Sequence, residues 1–600
     1  MSTVWCPTNP IVPSLGLASV TYELDTIAAL RNFSSVLWQK VMLFGYNKVG
    51  DSRPRLYVAD LTDTTSADNG GTVIVSADNT RWKMAFTDYV DIMEFGADPS
   101  ATTDSTNAWL KARDLGVLIR ANGRFLISGL PVITDGLSIL GVNQKATQLI
   151  LKNGANANII SGQNVNDIYI GNLYLNGNKA NQSIGAANPW RAIYFQGTCS
   201  RIRIDGVWVD QIQDHGISLN DTNSPPQSGQ DSLIINTTAT NCGSSAHSAA
   251  GGPGGTGIGG GAESCAIIAC LSQYNFLNGF KSPSGAYTNC WALDNGGGFE
   301  TGFDSPISYG TKLTSCRSLR NQGSAYRHQG QGNRVTQVDC SALNNKYSGV
   351  DLLGGVTGVT ISGGYYYNNG QGGSRVVDTA GIDGVTIHGT GSQAPSRVTI
   401  CGGAQFGDDQ ATPTQQYAFY VTGSPNAIVV DDSVIVGTHA IGSHYVDPTA
   451  AGKDINFGRF DGNQNIYRRQ STVTSSGTAT QTLDTKTLPA QGFVNGTSMR
   501  MRGCGRVSGT AGTKLIRVVV AGVSTIISNQ ASTDQLNWGF DAVLMMGSNA
   551  SRILQFLSPQ GIPPATISYS VTTPLTITVN TTPAGGDAVS LDAFSIFPEN

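Results

Sequence analysis

Apolar residues along this chain fall in short β-branched stretches separated by Asn, Gly, Ser and Thr, without the long stripes of helical period. Between Cys270 and Asn369 these stretches come into register. Cys270, Cys290, Cys316 and Cys340 are followed five positions on by Asn275, Asn295, Asn321 and Asn345, and Gly364 takes the cysteine's place before Asn369. The cysteine steps are 20, 26 and 24 residues, with 24 more to Gly364. A fixed period in this range marks a solenoid, and no unit has room for helical apolar periodicity. Each unit is therefore predicted to be one coil of a β-solenoid, with Cys in the core and Asn at a turn. Coils stack about 4.8 Å apart, so the Asn side chains are expected to form a hydrogen-bonded ladder.

The same pattern predicts earlier strands at 117–119, 125–127, 137–140, 148–151, 168–170 and 202–204, and it fades near His444. Residues 1–88 read as a separate small module. It has a short helix over 26–38, strands at 41–44, 56–58 and 72–75, and a tight turn at Asp68-Asn69-Gly70-Gly71. Residues 89–116 read as a junction with a capping helix. Asp104 is its predicted N-cap, and Ala108, Trp109, Ala112 and Leu115 form its apolar face. Such a helix suits the open end of a solenoid. Residues 117–445 are then the solenoid, 446–470 a connector, and 471–600 a β-sandwich or small β-domain of alternating strands.

Composition narrows the function classes. Charged residues are only 13% of the 600, about half the usual share, and Gly is 74. A net charge of −4 argues against a general nucleic-acid binder. No apolar stretch reaches the ~18 residues of a membrane span, and residues 1–13 lack the basic start and apolar run of a signal peptide. The ten cysteines form no CxxC pair and are expected as buried free thiols of a reducing compartment. No metal-ligand spacing occurs, so neither a metal nor a cofactor is expected. Gly255, Gly257 and Gly260 have dinucleotide-fingerprint spacing but lack the βαβ surroundings and the following acidic residue.

The scarce charge concentrates on one column. Aligning the coils sets Phe280, Phe299, Tyr326 and Val350 inward, and Lys281, Glu300, Arg327 and Asp351 outward. Asp304 follows on an insertion, and His328 follows Arg327. Glycoside hydrolysis needs two carboxyl groups about 5–9.5 Å apart. Glu300 with Asp351, or Glu300 with Asp304, is therefore the candidate acid–base pair, and Lys281, Arg327 and His328 are the candidate holders of an anionic substrate. Trp291, Tyr309 and Tyr365 are candidate sugar-packing rings. The alternative is an alternating charge ladder that only solubilises the wall. Asp214-His215, on an earlier coil, and Glu263, bordering the glycine loop, are rivals, Asp214 being read as a turn residue. Asp294 and Arg320 are read as a structural pair.

The segment Val90-Asp91-Ile92-Met93-Glu94-Phe95-Gly96-Ala97-Asp98, followed by Thr103-Asp104-Ser105-Thr106-Asn107-Ala108, resembles the start of pectate-lyase-like right-handed parallel β-helices, above all those of bacteriophage tailspike depolymerases. Phe44-Gly45-Tyr46, Asp68-Asn69-Gly70-Gly71-Thr72-Val73-Ile74 and Arg81-Trp82 resemble the small module that precedes the β-helix in many tailspikes. Asp51-Ser52-Arg53-Pro54-Arg55 departs from that module's usual glycine-rich run. The resemblance implies an all-β homotrimer on the virion, made in the host cytoplasm. Its N-terminal module would join a phage tail or baseplate protein, and its C-terminal β-domain would trimerise or bind carbohydrate. The implied partner is a bacterial surface polysaccharide, capsule or O-antigen, with no nucleic acid and no membrane insertion. Hydrolysis is the favoured activity. A lyase on the same fold and a non-enzymatic receptor-binding adhesin are the alternatives.

Overall fold

The computed structural model describes residues 21–446 apart from 87, 133, 185–189, 220–228, 250–253, 261–263, 302–309, 331–333, 373–380, 390–393, 424 and 432, and beyond 446 mainly strands between 455 and 599. The chain divides into two compact units, Met1–Gly285 and Ala286–Asn600.

The first unit opens with a five-stranded sheet in the order Tyr22–Leu24, Lys40–Leu43, Arg55–Asp60, Arg81–Met84, Val73–Val75. Its helix, Ile27–Arg31, is capped by Thr26, whose Oγ1 accepts the Ala29 N–H at 3.2 Å. The helix stops short of the predicted residue 38 because Asp78 captures the Ser35 N–H at 2.9 Å and draws the chain away. The segments that resemble the tailspike module meet at one joint. A Cβ on Gly71 would overlap the Phe95 ring, and Tyr57 donates to the Gly71 carbonyl at 2.6 Å. Asp91 and Glu94 form a capping box, and Arg55 pairs with Glu94. The helix Thr106–Arg113 buries Ala108, Trp109 and Ala112. Asp104 accepts the Thr106 N–H at 2.9 Å, and the Trp109 ring meets Phe125 edge-on at 5.8 Å.

Beyond this joint the chain winds as a parallel β-helix with three strands per coil, here called sheets I, II and III in chain order. In the first unit sheet III runs Leu130–Val132, Ile160–Gln163, Ile193–Gln196, Ile217–Ser218, Ile258–Gly259, Asn278–Ser282, all parallel. In the second unit it runs Gly297–Thr301, Tyr326–His328, Val350–Leu353, Val385–Gly389, Tyr417–Gly423, Gly442–Val446. The winding begins at Tyr89–Asp91, paired with Leu118–Ala121, and its last strand is Ile455–Phe457, paired with Asn426–Val430. It thus passes both limits, 117 and 445, drawn from the pattern. Three-residue strands at either end are too short for alternation to register.

Cys270, Cys290, Cys316 and Cys340 are buried just before sheet II, without disulfides. The Asn ladder is present in the second unit. Nδ2 of Asn295, Asn321 and Asn345 donates to Oδ1 of Asn321, Asn345 and Asn369, at 3.2, 3.0 and 2.9 Å. Each ladder residue follows a left-handed residue, namely Asp294, Arg320, Asn344 and Asn368, with φ of 53 to 55°. That sharp bend turns the Asn inward, where its amide caps backbone carbonyls. Downstream, two antiparallel sheets follow. One contains Ser498–Ser508, Leu536–Met546 and Ala588–Glu599, the other Gln481–Leu488, Thr513–Val520, Val523–Ala531 and Leu575–Thr582.

Candidate active site

Strand register brings Glu300, Arg327 and Asp351 onto successive coils of sheet III, followed by Thr386. Phe299, Tyr326 and Val350 point inward beside them and are buried. Glu300 is half-buried, and its Oε1 accepts Gln329 Nε2 at 2.8 Å. The backbones of Glu300 and Asp351 are two rungs apart, about 9–10 Å at the usual strand spacing.

Asp351 does not meet solvent as the pattern predicts, for its exposure is 0%. Gly381 and Asp383, on the connection leading into Val385–Gly389, lie against it, and Ser324 donates to its Oδ2. Arg327 Nη2 stands 3.6 Å from the same oxygen. Burial raises the Asp351 pKa, with the Asp383 carboxylate adding to it, while Arg327 and Ser324 pull it down.

His328 also departs from expectation. It is buried, with Nδ1 2.7 Å from Thr301 Oγ1 and Nε2 2.6 Å from Gln337 Nε2. Alternation forces this: the residue after outward Arg327 must face the core. It is unavailable to substrate.

Trp291 and Tyr365, 41% and 36% exposed, share a column of sheet II with Arg317 and Ser341, not the sheet that carries Glu300. The Arg317 guanidinium covers one Trp291 face at 4.8 Å, and Tyr365 stacks on Tyr367 at 3.9 Å. Lys281 lies in the first unit, half-buried. Asp304, Tyr309 and Glu263 fall outside the described residues. Asp294 and Arg320 pair on the surface at 2.8 Å.

A second cluster, read from sequence as a turn, lies in the first unit. Asp214 is fully buried, with Arg191 Nε 3.2 Å from Oδ2, and His215 Nδ1 and His247 Nε2 at 3.4 and 3.8 Å from Oδ1. Its members come from coils and an insertion outside the Cys–Asn repeat. The available signal was placement: Arg191, Asp214 and Thr256 each stand two or three residues ahead of a sheet III strand. Among the described residues no group of His, Cys, Asp and Glu could hold a metal ion, and no helix is long and apolar enough to cross a membrane.

Residues 23–87 match the family described as phage tail protein small four-stranded β-sheet domain. No protein of curated function matches the sequence. Among solved structures, the enzymatically active domain of tailspike protein 2 from bacteriophage CBA120 is similar at 13% identity and TM-score 0.47, covering 96% of this chain and 92% of that one. A tailspike of Acinetobacter phage vb_AbaP_AS12 is similar at 13% identity and TM-score 0.45, covering 92% and 94%. The A-module of an Azotobacter vinelandii mannuronan C-5 epimerase is similar at 14% identity and TM-score 0.43, covering 62% and 99%. Residues 23–87 thus match a phage tail small β-sheet domain and precede a parallel β-helix whose strand pairing is set out above.

Proposed function

We propose that this chain is a phage tailspike that binds a bacterial surface polysaccharide and cuts it by glycosidic hydrolysis on sheet III of the second unit. The observation that carries this reading is an association within one chain. A segment that matches a phage tail domain, residues 23–87, is followed by a β-helix with Glu300, Arg327 and Asp351 in register on successive coils of sheet III. In this reading residues 1–88 attach the spike to the virion, three chains associate side by side, and the C-terminal β-domain trimerises or binds carbohydrate.

Hydrolysis requires one carboxyl group to protonate the leaving oxygen and a second to activate water or attack the sugar. Glu300, oriented by Gln329, is the first. Asp304, four residues on in sequence, is the second. Asp351, covered by Gly381 and Asp383, serves as a positioning residue that fixes Arg327 against the sugar.

The test uses purified full-length protein and surface polysaccharide from a strain on whose lawn the protein alone forms a halo. Shortened chains with new reducing ends and no unsaturated-sugar absorbance are expected. Shortened chains that absorb in the ultraviolet would assign a lyase, and tight binding without shortening an adhesin.

A further inference from the structure

In the first unit, one outward column of sheet III runs Tyr194, Ser218, Gly259, Lys281 on successive coils. Gly259 interrupts it with no side chain. The three atoms nearest to a Cβ built there are all backbone, the Ile217 carbonyl oxygen at 3.1 Å being first. The column therefore has a notch one rung wide between Ser218 and Lys281, whose backbones stand about 9–10 Å apart at the usual strand spacing.

Two fixed donors lie on the Ser218 side of that notch: Arg191 contacts Ser218, and His215 precedes it by three residues on the same coil. Arg191 is held by three contacts: Nε to Asp214 Oδ2 at 3.2 Å, Nη1 to Ser218 Oγ at 3.3 Å, and its guanidinium over the Tyr194 ring at 4.1 Å. Nη2 has no hydrogen-bond partner among the described residues. His215 Nδ1 accepts the Thr256 N–H at 2.9 Å, which leaves the ring proton of neutral imidazole on Nε2 as a donor. Burial lowers the His215 pKa to about 4, with the charges of Arg191 and Lys281 acting in the same direction and Asp214 opposing. The ring is therefore neutral at pH 7. Asp214 is wholly buried beneath, its Oδ1 with no hydrogen-bond partner. A buried carboxylate is costly, and here it keeps Arg191 in one orientation instead of leaving it to sample solvent. A guanidinium fixed in one plane, an ammonium across a gap and a neutral N–H donor together match a planar carboxylate better than neutral hydroxyls.

We propose that this notch is a subsite for the carboxylate of an acidic sugar, held by Arg191, His215 and Lys281 over Gly259. The proposal rests on the polysaccharide reading above and adds the substrate class: a polymer containing uronic or sialic-type residues.

The experiment is saturation-transfer NMR on the full chain with methyl glucuronoside and N-acetylneuraminate as probes and methyl glucoside as the neutral control. At least one acidic probe is expected to bind at millimolar concentration, and the neutral control not. Lys281→Met is expected to weaken the acidic probe about tenfold. Arg191→Lys keeps a positive charge against buried Asp214, so the melting temperature checks folding, yet it loses the planar fork and is expected to weaken the probe as well. Equal signals from acidic and neutral sugars, or unchanged affinity in a folded Lys281→Met, overturn the subsite. Cleavage of host polysaccharide by a protein that ignores both acidic probes would reject the subsite and leave the depolymerase reading standing. Acidic-sugar binding with no action on any host polysaccharide would do the reverse.

Discussion

Arg327 reaches across one rung to set Nη2 3.6 Å from Oδ2 of Asp351, a carboxylate that is itself 0% exposed. The two differ in accessibility, since the guanidinium side chain keeps 31% of its surface in solvent. A solvent-facing cation whose counter-ion stays covered is oriented from behind. On the proposed reading, Asp351 acts through Arg327, whereas Glu300 acts on the sugar directly.

The two carboxylates should fail differently when changed. Glu300→Gln removes proton chemistry at a half-buried position, so kcat should fall about 100- to 10,000-fold with stability within about 0.5 kcal/mol. Asp351→Asn frees Arg327, so KM should rise more than kcat falls. Reducing-end assays across substrate concentrations, with a melting curve for each variant, separate the two. Full turnover in Glu300→Gln would remove this column from the chemistry.

The Asn ladder makes a stability prediction. Asn345 accepts from Asn321 and donates to Asn369 and to the Ser318 carbonyl at 3.1 Å, all buried. Asn345→Ala strands buried partners on both neighbouring coils, each costing about 1–3 kcal/mol. A loss of unfolding free energy of that size, seen as a lower urea midpoint, is expected. An unchanged midpoint would mean that the ladder contributes nothing.

This ladder was legible because a solenoid returns the same position to the same place on every coil, so Asn321 and Asn345 announce each other 24 residues apart. The outward column was legible for the same reason. What the repeat could not carry was anything brought in from outside it. Asp351 is covered by Gly381 and Asp383, which belong to a connection with no period. Asp214 gains meaning only from Arg191, 23 residues earlier, and from His247 on a separate short helix, Ser245–Ala249. His328 faces the core because the strand alternation that turns Arg327 outward turns the next residue in. Trp291 and Tyr365 are near Glu300 and Asp351 in sequence yet lie on another sheet, because the left-handed bend before each ladder Asn separates sheet II from sheet III.

Quaternary structure gives a third test. A β-helix with 13% charged residues and exposed apolar positions such as Ile435 and Val429, each about two-fifths exposed, gains from lateral association around a three-fold axis. Light scattering should return three times the chain mass of 62.9 kDa, and unfolding should be slow. A particle of one chain mass at micromolar concentration would rule the trimer out.

The N-terminal module should be separable from turnover. Its sheet, Tyr22–Leu24 through Arg81–Met84, contributes no residue to either cluster described above. A chain beginning near Asp88 should keep its activity and lose attachment to the virion. The joint residues Gly71 and Phe95 would be parted by this cut, so a modest fall in melting temperature is also expected. A folded truncation without activity would contradict this division of roles.

Three histidines whose charged form is desolvated in the fold predict how stability depends on pH. His328 is held neutral between Thr301 and Gln337, and burial lowers its pKa to about 3. His215 and His439 are lowered to about 4, chiefly by burial. The unfolded chain protonates each near the ordinary value of about 6.5, so below that pH the unfolded state binds more protons. Stability is therefore fully present above about pH 6.5 and falls as pH drops, by up to ~1.4 kcal/mol per pH unit for each group. Asp351 opposes this, because a raised carboxyl pKa favours the folded state on the acid side. His328→Gln keeps a polar side chain in place of the ring and removes its titration. Unfolding free energies from urea curves between about pH 4 and 6 should fall less steeply in this variant than in the parent, by roughly that single-group slope. Identical slopes would mean that His328 is already protonated in the fold, which the hydrogen bond from Gln337 Nε2 to its ring opposes.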